Sequence, residues 1–376
     1  MKATKSHMKG TPAPLREPPR SILVVMMSAV GDVVQVLPVV AALKRAFPRV
    51  FLSWVIQPNP HSLVANHPDV DEFLLFRRGG REKTPRALRA AGASIRKTAG
   101  EVRELARRQP GERFDLVLNL QVYFKAGLLT AMAPGRVKLG FDWSRTRDLN
   151  WLFTTHRIPP VPGNHGHTQD QYFEFLRFLD IDPEPLSYNL VLSADERRAQ
   201  QAYFGSLDRP ACSVVLATSD PRKDWRTRGY VEVVEGIYHD FGLLPVLVGG
   251  RSRRENQMAG EVTRLARVPV LNARKNDLRH LLWLLDGSAL VISPDTGPLH
   301  MARAMDTPVV GLYGFTNPKR SGPYARFQDL VVDGYAMYPG EEYPLNRERR
   351  RGGMGRITPR MVLEKVELAL KRYGPG

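Results

Sequence analysis

Short, unbroken apolar runs alternate with stretches of helical periodicity along most of this chain, and that alternation limits its fold more than any single motif. The runs fall at 21–27, 51–56, 72–76, 114–120 and 137–141, then at 213–217, 243–248, 268–272, 289–293 and 308–313. Helical patterns lie between them, among others at 32–47, 123–133, 227–241, 254–267 and 277–285. A strand without a polar face has to be covered on both sides, which is the condition of a parallel sheet between layers of helices. The two sets of five are divided by a Pro-containing stretch, 181–212. The pattern therefore predicts an α/β protein with two doubly wound parallel-sheet domains, over 21–185 and 186–357. The length of 376 residues suits two such domains. Residues 1–20 read as a disordered Pro-rich, basic tail, and 358–376 as a closing helix with Thr358 as cap, Pro359 in the first turn and Gly374 past the end.

Charge narrows the partners. An excess of 55 Lys and Arg over 38 Asp and Glu gives a net +17, which favours an anionic partner. The excess is local in one place, Arg77 to Arg108, where eleven basic residues face three acidic ones. No aromatic residue interleaves that stretch after Phe76, which speaks against nucleic acid. The segment, with Arg86 and Arg89 at its centre, is expected to meet an anionic, lipid-linked or phosphorylated partner and to make peripheral contact with an anionic membrane. A second basic run, 346–356, reads as a mobile loop. Cys212 is the only cysteine, so neither an intramolecular disulfide nor a cysteine zinc site can form, in keeping with a reducing, cytoplasmic setting. The basic tail and Ile22 to Val30 imitate a secretory signal, but Gly31-Asp32 follows where a small-residue cleavage site should stand. No apolar run reaches the ~18 residues of a membrane span.

In open α/β sheets ligands bind beyond the carboxyl ends of the strands, and four such ends carry chemistry. After the first run comes Gly31-Asp32. Asp32 can serve simply as a helix cap, or as a general base at the mouth of a cleft, with Gly31 allowing a ligand close to the backbone. "VISPDTGPLHMARAM", 291–305, ends a strand and opens a helix at Asp295-Thr296-Gly297, with His300 one turn in. Such a helix start suits phosphate. "LATSDPRKDW", 216–225, offers the hydroxyls of Thr218 and Ser219 and the cation of Lys223 for a diphosphate. "LVGGRSRREN", 247–256, places Gly250 after a strand and Glu255 within reach of a ribose. Asp69-Val70-Asp71 and Asp180-Ile181-Asp182 imitate the metal-binding Asp-x-Asp tripeptide but do not follow strands, and "NHGH", 164–167, reads as a loop or a substrate contact. No Gly-x-Gly-x-x-Gly or Walker pattern follows any strand.

In order along the chain, "ILVVMMSAVGDVVQVLP", "HPDVDEFLLF", "FDLVLNLQVYFKAG", "GFDWSRTRD", "ATSDPRKDW" and "VISPDTGPLHMARAM...TPVVGLYGFTNP" resemble glycosyltransferase family 9, the bacterial heptosyltransferases of the lipopolysaccharide inner core. The resemblance implies a GT-B fold, two Rossmann-like domains facing a cleft, with the acceptor on the first, which holds Arg86 and Arg89, and a nucleotide sugar on the second. It implies inverting transfer of a heptose from an ADP-activated donor, with no cofactor and no essential metal. Asp32 falls on the family's catalytic base. Thr218, Ser219, Lys223, Thr296, Gly297 and His300 match positions around the donor phosphates, and Asp295 a carboxylate near the donor sugar. Lys125 and Arg147 match basic positions facing the cleft. Two alternatives keep the fold: another nucleotide sugar or acceptor, or a non-catalytic basic binding protein. The intact set Asp32, Lys223, Asp295 and His300 discriminates against the second.

Overall fold

The structure, a computed structural model, describes residues 15, 17–77, 84–159 and 166–374. The first sheet contains β1 (Ser21–Val25), β2 (Phe51–Ile56), β3 (Glu72–Leu75), β4 (Phe114–Asn119), β5 (Gly135–Phe141) and β6 (His156–Ile158). Its strand order is β3-β2-β1-β4-β5-β6. The second contains β7 (Ala211–Val215), β8 (Leu244–Val248), β9 (Leu271–Asn272), β10 (Leu290–Pro294), β11 (Val309–Tyr313) and β12 (Val331–Asp333), in the order β12-β11-β10-β7-β8-β9. The strand pairs are parallel throughout, for example Ile22 beside Leu52 and Leu116, and Ile292 beside Val214 and Val310. Both sheets thus share one topology, whose order reverses between β1 and β4 and between β7 and β10. A crevice opens at such a reversal, because the helices that follow the two strands leave to opposite faces. Each sheet has one strand more than the sequence pattern predicts. The extra strands, β6 and β12, are three-residue edge strands, too short to show a period.

The first unit carries α1 (Val30–Ala46), α2 (Pro58–Val64), α3 (Pro85–Arg107), α4 (Phe124–Met132) and α5 (Thr168–Phe178). The second carries α6 (Ala194–Gly205), α7 (Thr227–His239), α8 (Arg253–Leu265), α9 (Leu278–Asp286), α10 (Gly297–Ala304), α11 (Pro318–Ser321), α12 (Gly353–Arg356) and α13 (Pro359–Tyr373). Alternating residues of β1 sort the helices: Ile22 and Val24 face the larger core with α1, whereas Leu23 and Val25 face a smaller one with Ile95, Val102 and Leu105 of α3. The larger core runs on into the second sheet, because α1 packs on α10 as well as on its own domain. This explains why α1 is buried continuously from Val33 to Leu43: it is a central helix with no solvent face. Arg45, in its last turn, donates to the carbonyls of Asp182 and Glu184 at 2.9 and 2.8 Å and so fastens the connection between the domains.

The Asp-x-Asp segments have structural duties. Asp71 accepts from Lys44 and from the Leu52 N–H, each at 2.7 Å, and Asp182 accepts from the Glu184 N–H at 2.9 Å. The basic run 346–356 is not the loose loop its composition suggests. Thr316 and Arg349 form an isolated antiparallel bridge, the Arg350 N–H donates to Phe315 at 3.0 Å, and Arg350 pairs with Glu341 at 2.7 Å. The arginines find carbonyls and a carboxylate within the fold, information that composition does not carry.

One buried ion network fixes the loop that follows β5. Arg145 reaches Asp142 at 2.5 Å, pairs with Glu174 on α5, and donates to the carbonyls of Ile158 and Pro159 at 3.0 and 3.1 Å. Burial opposes the ionised Asp142, but hydrogen bonds from Ser144 and Arg145 outweigh it and hold its carboxyl below the ordinary value of 3.8. Its share of stability is therefore present above that pH and lost as the pH falls beneath it. Removing Arg145 takes the ion-pair partner away from two buried carboxylates. Arg145→Met is expected to cost about 3–5 kcal/mol in urea unfolding at neutral pH, with the deficit shrinking on acidification as Asp142 takes up a proton.

Candidate functional site

The two sheet reversals face each other, and the residues at their strand ends meet in one cleft. Asp32 enters from the first domain. The sequence pattern starts this helix at Asp32, but α1 begins at Val30, which places Asp32 in the first turn rather than at the cap. Its carboxylate accepts the Ala29 N–H at 3.0 Å, so part of its role is to close the start of the helix. The other part is electrostatic. Burial raises its pKa above the ordinary aspartate value of 3.8, while the Ala29 N–H, Arg320 and Lys223 pull it down and Asp295 adds to the rise. The buried Tyr172 hydroxyl of α5 faces the same carboxylate. A half-buried carboxylate with a raised pKa is a better proton acceptor than an exposed one.

Opposite stands a polar cluster from the second domain. Lys223, in the one-turn helix Pro221–Lys223 that follows β7, contacts the Asp295 carboxylate at 2.7 Å. Thr316, after β11, donates to the same oxygen at 2.6 Å. Burial disfavours the ionised Asp295, but Lys223 and Thr316 outweigh it and hold the carboxyl below its ordinary value. Lys223, a cation that the sequence offers for a diphosphate, is paired here with Asp295. Thr296 is the residue preceding α10; its own side chain makes no cap hydrogen bond, leaving the hydroxyl beside the helix start.

Gly31, Gly297 and His300 have a duty that the sequence did not reveal. A Cβ on Gly31 would lie 2.9 Å from His300 Cδ2, and one on Gly297 would lie 3.2 Å from Val30 Cγ1. The glycines let α1 and α10 approach each other, a contact beyond the approach of ligand that the sequence leads one to expect. His300 is buried in this seam beside Gln35, whose Nε2 lies 3.3 Å from its Nε2. Burial lowers its pKa to about 4, so the ring is neutral at neutral pH.

Around this centre, Thr218 is buried and its hydroxyl donates to the Asp220 carbonyl at 2.7 Å, while Ser219 is exposed. Glu255 accepts the Gly250 and Ser252 N–H groups, each at 2.9 Å, closing the capping box of α8. From the first domain, Lys125 is half-buried at the start of α4, and exposed Arg147 lies over the Tyr123 ring at 5.8 Å. Arg89 is exposed on α3, which packs on the opposite sheet face from α1. The Arg86 side chain, like Asn164 and His165 of the "NHGH" stretch, lies outside the described residues. His167 donates to Gly322 across the domains at 2.9 Å and accepts the Gln169 N–H, capping α5.

Sequence reasoning missed Tyr172, Thr316, Arg320 and Arg347. Arg320 lies in electrostatic reach of Asp32, Tyr172, Asp295 and Arg147. Arg347 crosses to the first domain, donating to the Arg145 carbonyl at 3.4 Å and to Gln171 at 3.3 Å. Among the described residues, the buried Nε atoms of Arg320 and Arg347 have no hydrogen-bond partner. Two guanidiniums with unused donors, next to Arg147 and the Asp32 carboxylate, make a cleft wall suited to an anion. The strand-end rule could have flagged Thr316 and Arg320, which follow β11; no such signal marks Arg347 or Tyr172.

The chain and its fold have known relatives. The chain is 27% identical over 318 residues to a lipopolysaccharide core heptosyltransferase, OpsX, of Haemophilus influenzae, covering 84% of this chain and 85% of that protein. It is 26% identical over 314 residues to lipopolysaccharide heptosyltransferase 1 of Escherichia coli K12, covering 82% and 92%. Its fold is similar to that of the E. coli heptosyltransferase WaaC solved with ADP, with a TM-score of 0.67 and 24% identity over 93% of this chain and 99% of that one. The two facing parallel-sheet domains are the GT-B arrangement. Residues 102–343 match glycosyltransferase family 9 (heptosyltransferase), and the chain belongs to that family.

Proposed function

We propose that this glycosyltransferase moves a heptose from ADP-heptose to an inner-core saccharide of lipopolysaccharide, with inversion and without a metal, using Asp32 as general base. The observation that carries the reading is the raised-pKa carboxylate of Asp32 facing the Lys223–Asp295–Thr316 cluster across the cleft. The acceptor hydroxyl attacks the anomeric carbon as its proton passes to Asp32, and the bond from that carbon to the diphosphate oxygen breaks. The departing ADP carries the electron pair. Lys223 and the start of α10 at Thr296-Gly297 stabilise its charge as fixed dipoles and one cation. Asp295, held by Lys223 and Thr316, is placed for the sugar hydroxyls. The ADP in the WaaC structure supports an adenine nucleotide as part of the donor, and the OpsX relative supports a core saccharide as acceptor. Arg147, Arg320 and Arg347, with Lys125, form the acceptor side, where a carboxylate or phosphate of the saccharide meets their positive charge.

Asp32→Asn tests the base. Turnover is expected to fall about 10²–10⁴-fold with donor affinity nearly unchanged. Because the folded pKa of Asp32 is raised, its ionised form costs stability as the pH rises through that value, so the melting temperature of the variant at neutral pH should equal or exceed the wild type's. A variant that melts early yet keeps full specific activity would make Asp32 a helix-capping residue only. The acid limb of the wild-type kcat profile should lie above the ordinary aspartate value of 3.8.

Activity should survive exhaustive chelation, whereas Lys223→Ala should weaken ADP binding in calorimetry. Loss of activity on chelation that returns with added divalent metal would overturn the metal-free reading.

Arg320→Met should raise the KM for a phosphorylated or carboxylated acceptor by on the order of tenfold or more. It should also move the acid limb of kcat upward, since Arg320 lowers the Asp32 pKa. An unchanged acceptor KM would remove Arg320 from the acceptor side.

A further inference from the structure

Large apolar side chains exposed among the described residues are concentrated in one place. Tyr123, Phe124, Trp143, Leu149 and Leu152, five of the nine such residues, come from the two loops that follow β4 and β5. Trp143 is 71% exposed, Leu149 58% and Leu152 52%. The two loops form one surface. Asn150 donates to the Tyr123 carbonyl at 2.6 Å, the Arg147 N–H donates to Val122 at 2.8 Å, and the Phe124 and Phe153 rings meet edge-on at 5.4 Å. Asp148 and Leu149 adopt left-handed backbone, with φ of 54° and 60°, a conformation that favours glycine and here carries an exposed leucine. The local charge is basic. Arg147 and Arg157 are exposed and Lys125 half-buried, against one exposed acid, Asp148; Asp142 is neutralised by Arg145.

Apolar side chains held outward by a rigid base and ringed by arginine and lysine match a bilayer interface. The aromatic and aliphatic parts enter the acyl boundary while the cations stay among anionic headgroups. A protein partner would satisfy the apolar area but leave the cations without a stated counterpart. The basic helix α3, which sequence alone marks for this task, shows no apolar half among the described residues: its Ile95, Val102 and Leu105 point into the core, and Arg89, Arg96, Lys97 and Arg103 are exposed. Those exposed cations can attract an anionic surface but do not insert into it.

We propose that the loops 122–124 and 143–152 are the membrane-docking surface of this protein, seating it on an anionic lipid bilayer through Trp143, Leu149 and Leu152. The surface includes Arg147, so docking brings the cleft edge, and the arginines behind it, up to the headgroup layer. That this orientation serves a lipid-linked acceptor rests on the function proposed above; the docking itself does not.

The test is co-sedimentation of the full chain with vesicles of equimolar phosphatidylglycerol and phosphatidylcholine, and of phosphatidylcholine alone. Wild type is expected to bind the anionic vesicles and to shift its tryptophan emission to the blue, a shift that Trp143→Phe abolishes. Trp143→Ser, Leu149→Ser and Leu152→Ser together should reduce partitioning about tenfold or more, with unchanged melting and unchanged transfer to a water-soluble phosphorylated acceptor. Replacing Arg89, Arg96, Lys97 and Arg103 with Gln should weaken binding less and should leave the blue shift in place. Partitioning of the triple variant equal to wild type sinks the proposal. So does concentration-dependent self-association in sedimentation velocity that the triple variant loses while vesicles bind neither protein. Failure of the soluble-acceptor assay in wild type would count against the proposed function and not against docking.

Discussion

The close approach of α1 and α10 is the constraint on which the rest of the cleft depends. Each helix start carries or adjoins one of the two cleft carboxylates, Asp32 in the first turn of α1 and Asp295 just before α10. Gly31 and Gly297 remove the side chains that would hold the two starts apart. Because α1 is buried on every side, its register is set by packing against both domains at once, and Asp32 inherits that precision. Gln169, donating to the Gln35 carbonyl at 2.6 Å, and the neutral ring of His300 complete the seam with uncharged partners. A charge there would have to be desolvated without compensation.

Within the cleft the charges are graded by their neighbours. Asp295 is matched by Lys223 and a threonine hydroxyl and stays ionised. Asp32 shares weaker, more distant cations and carries the raised pKa. Two carboxylates in one pocket are thereby driven apart in their protonation behaviour, which is how a single site can hold one as an acceptor of protons and the other as a fixed acceptor of hydrogen bonds. The arginines on the opposite wall, Arg320 and Arg347, each keep a buried Nε without a hydrogen-bond partner among the described residues, and their position makes that side of the cleft electropositive.

Much of this was legible in the sequence because strand ends are legible. The run before Gly31-Asp32, and the one before Asp295-Thr296-Gly297, announce a strand, a turn and a helix start by composition alone, and the fold places them where that grammar demands. Strands β6 and β12 were not legible, since three residues carry no period. Nor was the duty of Gly31 and Gly297, because each glycine is explained by the other and they stand far apart in the chain. Arg347 was obscured for a related reason. It sits in a run whose composition implies disorder, and only tertiary contacts with Gln171 and the Arg145 carbonyl give it a place.

The Lys223–Asp295 pair has a consequence for how the pocket selects what enters it. A lysine whose charge is already matched at 2.7 Å exerts little pull at a distance, and the pocket does not act as a general trap for polyanions. A diphosphate gains the lysine only by coming close enough to share it or to displace the carboxylate, and the displaced carboxylate then needs hydroxyl donors in return. Pyrophosphate offers the first group and lacks the second; a sugar diphosphate brings both. On the proposed function, the ion pair would work as a filter that opens for ligands carrying a hydroxyl-rich ring beside their phosphates, setting selectivity at short range, after the encounter.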